Sequence, residues 1–369
     1  MSYHESLGVS RADFEALAEH FQDRVYEGRR YRALPDARGS LERGTALLDG
    51  VVIRGFPKVP RTFVLGEGVP RHFDGPFVVE EKLNGYNVRV VRVEGDVLAF
   101  TRGGLLCPFT TWAARDRLPV EAYFDAHPES MLCAEAIGPE NPYTTHDYPE
   151  VESLAFRVFD VRDRTTGAPL PVAERRERCA AFDLPSVRQF GTYRPEGSAA
   201  ELRSIVDRLD AEGREGVVTK SLDGSRLLKY TTSAANRGDL AYAFSVPFDY
   251  GRDFVFRRLV REAFQSVEWG EDAPTRAERA RAVGEAILEP MAETFEAVAD
   301  GDLAGQRHTV RGPPAVVEAL LAHLREQGIH VVVEADAVED GERVVTYLKR
   351  MAATTDRTRA YLDGAIVRE

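Results

Sequence analysis

Between positions 77 and 102 the chain alternates apolar with polar residues in three short runs, at 77–81, 86–93 and 97–102. A period of two sends successive side chains to opposite faces of a strand. The link Glu94-Gly95-Asp96 is too short to join anything but antiparallel neighbours, so the second and third runs form a hairpin. The first run ends on Lys82, and Asn84-Gly85 follows as a common turn signal before the next strand, which reads as a second hairpin. Further short runs at 131–137, 154–161, 216–220 and 226–231, interleaved with helical spacing at 172–182 and 199–211, predict an antiparallel-rich α+β domain over roughly residues 50–240.

The flanks read differently. The first forty residues look helical and polar. Ser10 and Asp13 form a capping box ahead of Phe14, Leu17, Ala18 and Phe21 on one face. Short strands are expected near 51–54 and 61–65, and Gly66-Glu67-Gly68 reads as a turn. Beyond Asp239 long helical spacing takes over at 253–269 and 276–299. The last segment mixes strands at 330–334 and 343–348 with helices at 314–327 and 355–363. A length of 369 residues suits two or three domains. The expected division is an N-terminal module 1–75, a central domain 76–238, a helical module 239–302 and a C-terminal domain 303–369.

No apolar run approaches the ~20 residues of a membrane span, and no signal-peptide pattern opens the chain. Three widely spaced cysteines (Cys107, Cys133, Cys179) give neither a disulfide framework nor a zinc pair, so a reducing cytoplasm is the expected compartment. Acids outnumber bases 60 to 48, a net charge of −12. That is the wrong overall sign for a nucleic-acid enzyme, so any basic surface must be local. The chain holds only five lysines against 43 arginines. Such an acidic, lysine-poor composition is that of a salt-adapted or GC-rich organism. A lysine kept in such a background marks a place where arginine cannot substitute, because only lysine shifts readily enough to act as a nucleophile.

The lysines stand in charged blocks that end strands. Val78-Val-Glu80-Glu-Lys82-Leu-Asn84-Gly85-Tyr-Asn87 is the sharpest. Thr101-Arg102-Gly103-Gly104 sets a guanidinium beside flexible backbone. Cys133-Ala-Glu135-Ala-Ile137 puts a carboxylate inside an apolar strand, where it needs a partner or a ligand. Phe156-Arg-Val-Phe-Asp160, Glu215-Gly-Val-Val-Thr-Lys220 and Leu227-Leu-Lys229-Tyr230 complete the series. Asp160 reads as structural, Arg54 and Lys58 as surface cover or phosphate contacts, and Arg175-Arg176 and Arg257-Arg258 as solvated helix faces. The sequence contains no HExxH and no GxxxxGK[ST], which excludes those zinc and P-loop chemistries.

In this order the six blocks resemble the motifs of the covalent lysine nucleotidyltransferase superfamily of ligases and capping enzymes. The KxxGxN form at Lys82–Asn87 and the flank 53–61 are most similar to the archaeal homodimeric ATP-dependent RNA ligases, over about residues 50–235. The resemblance implies an antiparallel-sheet nucleotidyltransferase (ATP-grasp-like ligase) domain with a helical dimerisation module and a small α/β C-terminal domain. It implies that Lys82 is the nucleophile, with Asn87, Lys220 and Lys229 as further catalytic residues. Glu80 would read the adenine amino group, Phe156 stack on the base, Glu135 hold the ribose and Arg102 the ribose or a phosphate. Lys220 and Lys229 would hold phosphates, with Glu215 and Glu135 at the metal. The cofactors would be ATP and Mg²⁺ (or Mn²⁺). The partners would be RNA with 5′-phosphate and 3′-hydroxyl ends and a second copy of the chain, and the reaction would be joining or circularisation. Two alternatives share the blocks: an RNA-end adenylyltransferase and a non-catalytic RNA-binding protein. The family's last motif has two lysines where this chain has Lys229 alone, with Arg226 as the candidate replacement.

Overall fold

The alternating runs pair antiparallel, as their short links require, but they do so in two separate sheets. A computed structural model describes residues 2–146 and 148–366. Helices α1 (Tyr3–Leu7) and α2 (Arg11–Ala18) lead into strands β1 (Gln22–Tyr26), β2 (Arg29–Ala33), β3 (Ala46–Leu48) and β4 (Val51–Ile53), then α3 (Leu65–His72). The central part comprises β5 (Phe77–Lys82), β6 (Tyr86–Val93), β7 (Asp96–Thr101), α4 (Pro108–Arg117), α5 (Val120–Ala126), β8 (Ser130–Ile137) and β9 (Ala155–Asp163). It continues through α6 (Val172–Ala181), β10 (Gln189–Tyr193), α7 (Ala199–Ala211), β11 (Gly216–Ser221) and β12 (Leu227–Thr231). Helices α8 (Ser233–Ser245), α9 (Arg252–Glu268) and α10 (Ala273–Ala299) follow. The chain closes with β13 (Gly305–Gly312), α11 (Pro314–Glu326), β14 (Val331–Glu339), β15 (Glu342–Arg350) and α12 (Ala352–Leu362).

The sheet orders are β1-β2-β3-β4, β10-β5-β11-β12, β7-β6-β8-β9 and β13-β15-β14. Strands β6 and β7 form the expected hairpin, with Val93 opposite Asp96. The second expected hairpin does not exist: β5 pairs with β10 and β11, while β6 pairs with β7 and β8. Asn84-Gly85 instead carries the chain from one sheet to the other. Gly85 lies so close to β8 that a Cβ there would sit 2.1 Å from the Ala136 carbonyl oxygen.

The hairpin turns follow one rule. Glu27-Gly28, Asp49-Gly50, Glu94-Gly95 and Asp340-Gly341 each place an acidic residue and a glycine at positive φ, the geometry of a two-residue turn between twisted strands. The first of these breaks the helix expected through residue 40. Ser10 caps α2, with the Asp13 amide donating to its hydroxyl at 3.1 Å, but its hydroxyl, not its backbone amide, donates to the Asp13 carboxylate, so the reciprocal bond of the expected box does not form. Residues 61–65 form no strand, and Gly66-Glu67-Gly68 lies inside α3, where Gly68 packs against Thr62 with no room for a side chain.

The β7-β6-β8-β9 sheet is buried on both faces, which explains its nearly unbroken apolar strands. Val88, Val90, Leu132 and Ala134 pack on Phe109, Tyr123 and Phe124 of α4–α5 and on Leu320 and Leu321 of α11. The opposite face, with Val91, Val93, Met131 and Cys133, packs on Tyr31, Ala46 and Ile53 of the N-terminal sheet. Helices α3 and α7 cover the outer face of β5, β11 and β12. No helix among the described residues is long and apolar enough to cross a membrane.

The C-terminal sheet shares this core. Val310, Val345 and Tyr347 belong to the same cluster as β6 and β8, and the Tyr347 hydroxyl donates to the Pro142 carbonyl at 2.8 Å. His308 is buried beside Tyr347, 3.1 Å from the Asn141 carbonyl, and burial lowers its pKa to about 4. The unfolded chain therefore takes up a proton near pH 6.5 that the folded chain refuses until about pH 4. Stability rises with pH across that window. Unfolding in urea should show His308→Gln losing about 2 kcal/mol less stability than the parent between pH 7.5 and 5.

Candidate active site

Strands β5, β11 and β12 present one face, and β6 and β8 the other, across a cavity of about 380 Å³. Register decides which side chains share it. Glu80 lies opposite Val218, Val218 opposite Lys229, and Lys82 opposite Gly216. Residues two apart return to one face, so Glu80, Lys82, Lys220 and Lys229 all line the cavity. On the facing sheet Asn87 of β6 pairs with Glu135 of β8, and both line it, as does Arg102 just beyond β7. Glu215, the residue before β11, forms an ion pair with the Lys82 ammonium. The Gly85 amide donates to Glu135 Oε1 at 3.2 Å, so the crossing between sheets also orients that carboxylate.

The electrostatics are those of an anion site. Burial, reinforced by Lys82 and Arg61, lowers the Lys229 pKa to about 8. Burial raises Glu135 to about 7, against the pull of Lys82. Burial also pulls Arg102 down, with Glu135 opposing. Two buried oxygens, Glu215 Oε2 and Asn87 Oδ1, have no hydrogen-bond partner. The described residues hold no cluster of three or more His, Cys, Asp or Glu able to cage a metal. One or two side-chain oxygens fit a hard cation that takes its remaining ligands from phosphates and water.

The floor of the cavity is a buried ion cluster. Glu80 accepts from both terminal nitrogens of Arg175 and from Lys220 Nζ at 3.0 Å. Arg175 and Lys220 also donate to the Phe159 carbonyl. Burial alone would raise the Glu80 pKa, but Lys220 and Arg175 outweigh it and hold the carboxylate below its usual range.

Several expectations change here. Phe156 packs in the core on the far face of its sheet, and Phe159 lines the cavity, edge-on to Phe56 with centroids 5.2 Å apart. Positions 156 and 159 are three apart and so face opposite sides of β9, and a bulge follows Val158. Val158 lies opposite Ala134 and Asp160 opposite Cys133, which leaves Phe159 as an extra residue and resets the alternation. Arg175 is no solvated residue but the partner of Glu80. Val172, Arg175 and Cys179 share the buried face of α6, a helical spacing visible in the sequence. Arg226 does not stand in for a second lysine, since it pairs with Asp74 at the surface. Asp160 pairs with Arg162 at 2.9 Å and Arg54 with Glu42 at 3.1 Å, so both are structural, and Lys58 is exposed.

Removing Arg175 leaves a buried carboxylate with half its compensation. Arg175→Met should cost about 3 kcal/mol in denaturant unfolding, and Arg175→Lys should recover only part, lacking the two-pronged contact.

Residues 75–231 match the RNA ligase family, and residues 242–365 match the ligase Pab1020 C-terminal region. The chain is 37% identical over 339 residues to the uncharacterized protein MJ0414 of Methanocaldococcus jannaschii, covering 88% of this chain and 86% of that protein. An archaeal ATP-dependent RNA ligase, solved as forms 1 and 2, superposes with a TM-score of 0.92 at 40% and 39% identity, over 99% of this chain and 98% of that one. A protein of Aquifex aeolicus described as an ATP-dependent DNA ligase superposes with a TM-score of 0.90 at 28% identity, over 97% of this chain and 99% of that one. Sheet order, helical segment and C-terminal sheet thus recur together along the whole length, and the chain is a ligase that belongs to the family of the archaeal ATP-dependent RNA ligases.

Proposed function

We propose that this ligase joins RNA 5′-phosphate and 3′-hydroxyl ends, circularisation included, through a covalent lysyl-AMP on Lys82. The observation that carries the reading is the Lys82 amine, held against Glu215 at a cavity that Lys229, Arg102 and Lys220 also line. A phosphate monoester has no good leaving group, and adenylation supplies one. The Lys82 ammonium gives up one proton to solvent, and the neutral amine attacks the α-phosphorus of ATP. The P–N bond forms as the bond to the β-phosphate breaks. Pyrophosphate leaves with the electron pair, and the second amine proton is released. A 5′-phosphate oxygen of the RNA then displaces lysine, which regains its proton, and forms adenylated RNA. Attack by the 3′-hydroxyl, with loss of its proton, expels AMP and closes the phosphodiester.

Phe159 takes the place expected of Phe156 against the base, with Glu80 facing the adenine end. Glu135 and Asn87 face the ribose and the reacting phosphate. Glu215, with Asn87 or Glu135, would hold Mg²⁺ or Mn²⁺, which supplies charge neutralisation for in-line phosphoryl transfer. Incubation with α-labelled ATP and metal should leave a label that survives denaturation and maps to Lys82. Lys82→Ala should abolish it, and an equal label on that variant would overturn the assignment. Transfer of AMP to the RNA end without sealing would favour an end adenylyltransferase.

The ligase is also proposed to act as a homodimer through residues 239–302. Support comes from the exposed Phe256 and Val267, three turns apart on one face of α9, and the exposed Leu288 of α10. Light scattering should give twice the chain mass, and Phe256→Glu with Leu288→Glu should reduce it to one.

A further inference from the structure

The strand carrying Lys229 is extended at its outer edge by residues 60–62. The Lys229 amide donates to the Pro60 carbonyl at 3.0 Å, and the Thr62 amide to the Lys229 carbonyl at 3.2 Å. This parallel bridge sets Arg61 beside Lys229. Residues paired across strands share a face, so the row Glu80, Val218, Lys229 continues into Arg61. Arg61 stands just beyond the residues that line the cavity, and its charge is one of those that lower the Lys229 pKa.

Arg61 serves no scaffold. Neighbouring arginines each hold something: Arg258 pairs with Asp239, Arg261 donates to the Thr231 carbonyl, and Arg175 binds Glu80. Among the described residues Arg61 makes no ion pair within 4 Å and donates no side-chain hydrogen bond. It is partly buried, and burial with the nearby charge of Arg258 lowers its pKa, against the opposing pull of Glu215 and Asp239, neither of which pairs with it. A desolvated, unpaired cation among cations is unfavourable in the free enzyme and becomes favourable when a polyanion arrives.

The sheet orders the cations. Lys82 lies on β5, Lys229 two strands outward on β12, and Arg61 one step further. If the α-phosphorus meets Lys82, the phosphates beyond it run toward Lys229 and Arg61. We propose that Arg61 binds the terminal phosphates of the nucleoside triphosphate and holds the departing pyrophosphate. This rests on the lysyl-AMP reading above. It also accounts for the single lysine in β12: the second cation of that site comes from the 60–62 segment.

The test separates the steps on the full-length enzyme. Arg61→Ala and Arg61→Lys are compared in labelling of Lys82 by α-labelled ATP, in reversal of the adduct by pyrophosphate, and in sealing of RNA supplied with a pre-adenylated 5′ end. The last needs neither triphosphate nor pyrophosphate. Arg61→Ala should slow the first two by about tenfold or more and raise the KM for ATP, as loss of a charge-assisted phosphate contact predicts, with Arg61→Lys intermediate. Sealing of the pre-adenylated RNA should stay within about twofold. Equal losses in all three assays would make Arg61 a support of β12 and overturn the proposal, as would unchanged labelling. A wild-type enzyme that seals pre-adenylated RNA yet never labels Lys82 would instead sink the lysyl-AMP reading, and this proposal with it.

Discussion

The close passage of Gly85 over the Ala136 carbonyl is the constraint from which the site follows. Lys82 ends one sheet and Tyr86 begins another, and only three residues separate them. The two sheets must therefore diverge from a common line, and the cavity is the wedge between them. A side chain at position 85 would force β5 and β8 apart, displacing Lys82 from Glu135 and losing the amide that orients Glu135. The remaining parts hang on that wedge. Strand β11 lies on β5 and brings Glu215 to Lys82, while β12 lies on β11 and brings Lys229. Residues 60–62 fasten the outer edge.

Within an acidic chain, this wedge concentrates cations at two depths that behave differently. At the floor, Arg175, Lys220 and Glu80 compensate one another, with both Glu80 oxygens hydrogen-bonded, which makes them a rigid support. Above them, Lys229, Arg102 and Arg61 have no carboxylate partner within ion-pair distance among the described residues, and burial pushes Glu135 toward neutrality. The upper layer is thus unsatisfied by the protein itself. A site that holds unpaired cations around a rigid floor suits an anionic ligand, as the proposed function requires.

Much of this could be read from residue order. Lys82, Glu135, Lys220 and Lys229 are legible as charged residues inside or at the ends of apolar strands, and it is the order of the blocks, through the family resemblance, that groups them. The failures have specific causes. The resemblance points to Phe156, but of the two phenylalanines of β9 it is Phe159, three positions on and so on the opposite face, that lines the cavity. The pairing of Arg175 with Glu80, 95 positions away, is a tertiary fact, although the helical spacing of α6 already marked Arg175 as inward-facing. Asn-Gly suggested a hairpin because the turn signal is local, whereas the partner of β5 is β11, more than a hundred residues on. The acidic residue–glycine turns were visible throughout but were recognised only at Glu94-Gly95, where the flanking alternation was strong.

The division between lysine and arginine follows from the same geometry. Arginine stays charged under burial and offers a fixed fork, so it serves where a charge must be pinned: Arg89 donates to the carbonyls of Arg54, Gly44 and Thr101, and Arg175 to Glu80. Lysine offers a compact amine whose proton can be lost. Three of the chain's five lysines face one cavity, although arginine outnumbers lysine more than eightfold over the whole sequence. Lys220 shows that proton loss is not the only reason. Its ammonium fits between Glu80 and the Phe159 carbonyl where Arg175 already occupies the other side, and a second guanidinium would have to displace the first or the Phe159 ring. Size therefore fixes lysine at the floor, while the proposed nucleophilic role would fix it at Lys82. Arg61 lies outside both demands, on the open edge of the sheet, which is why the general preference of the chain for arginine persists there.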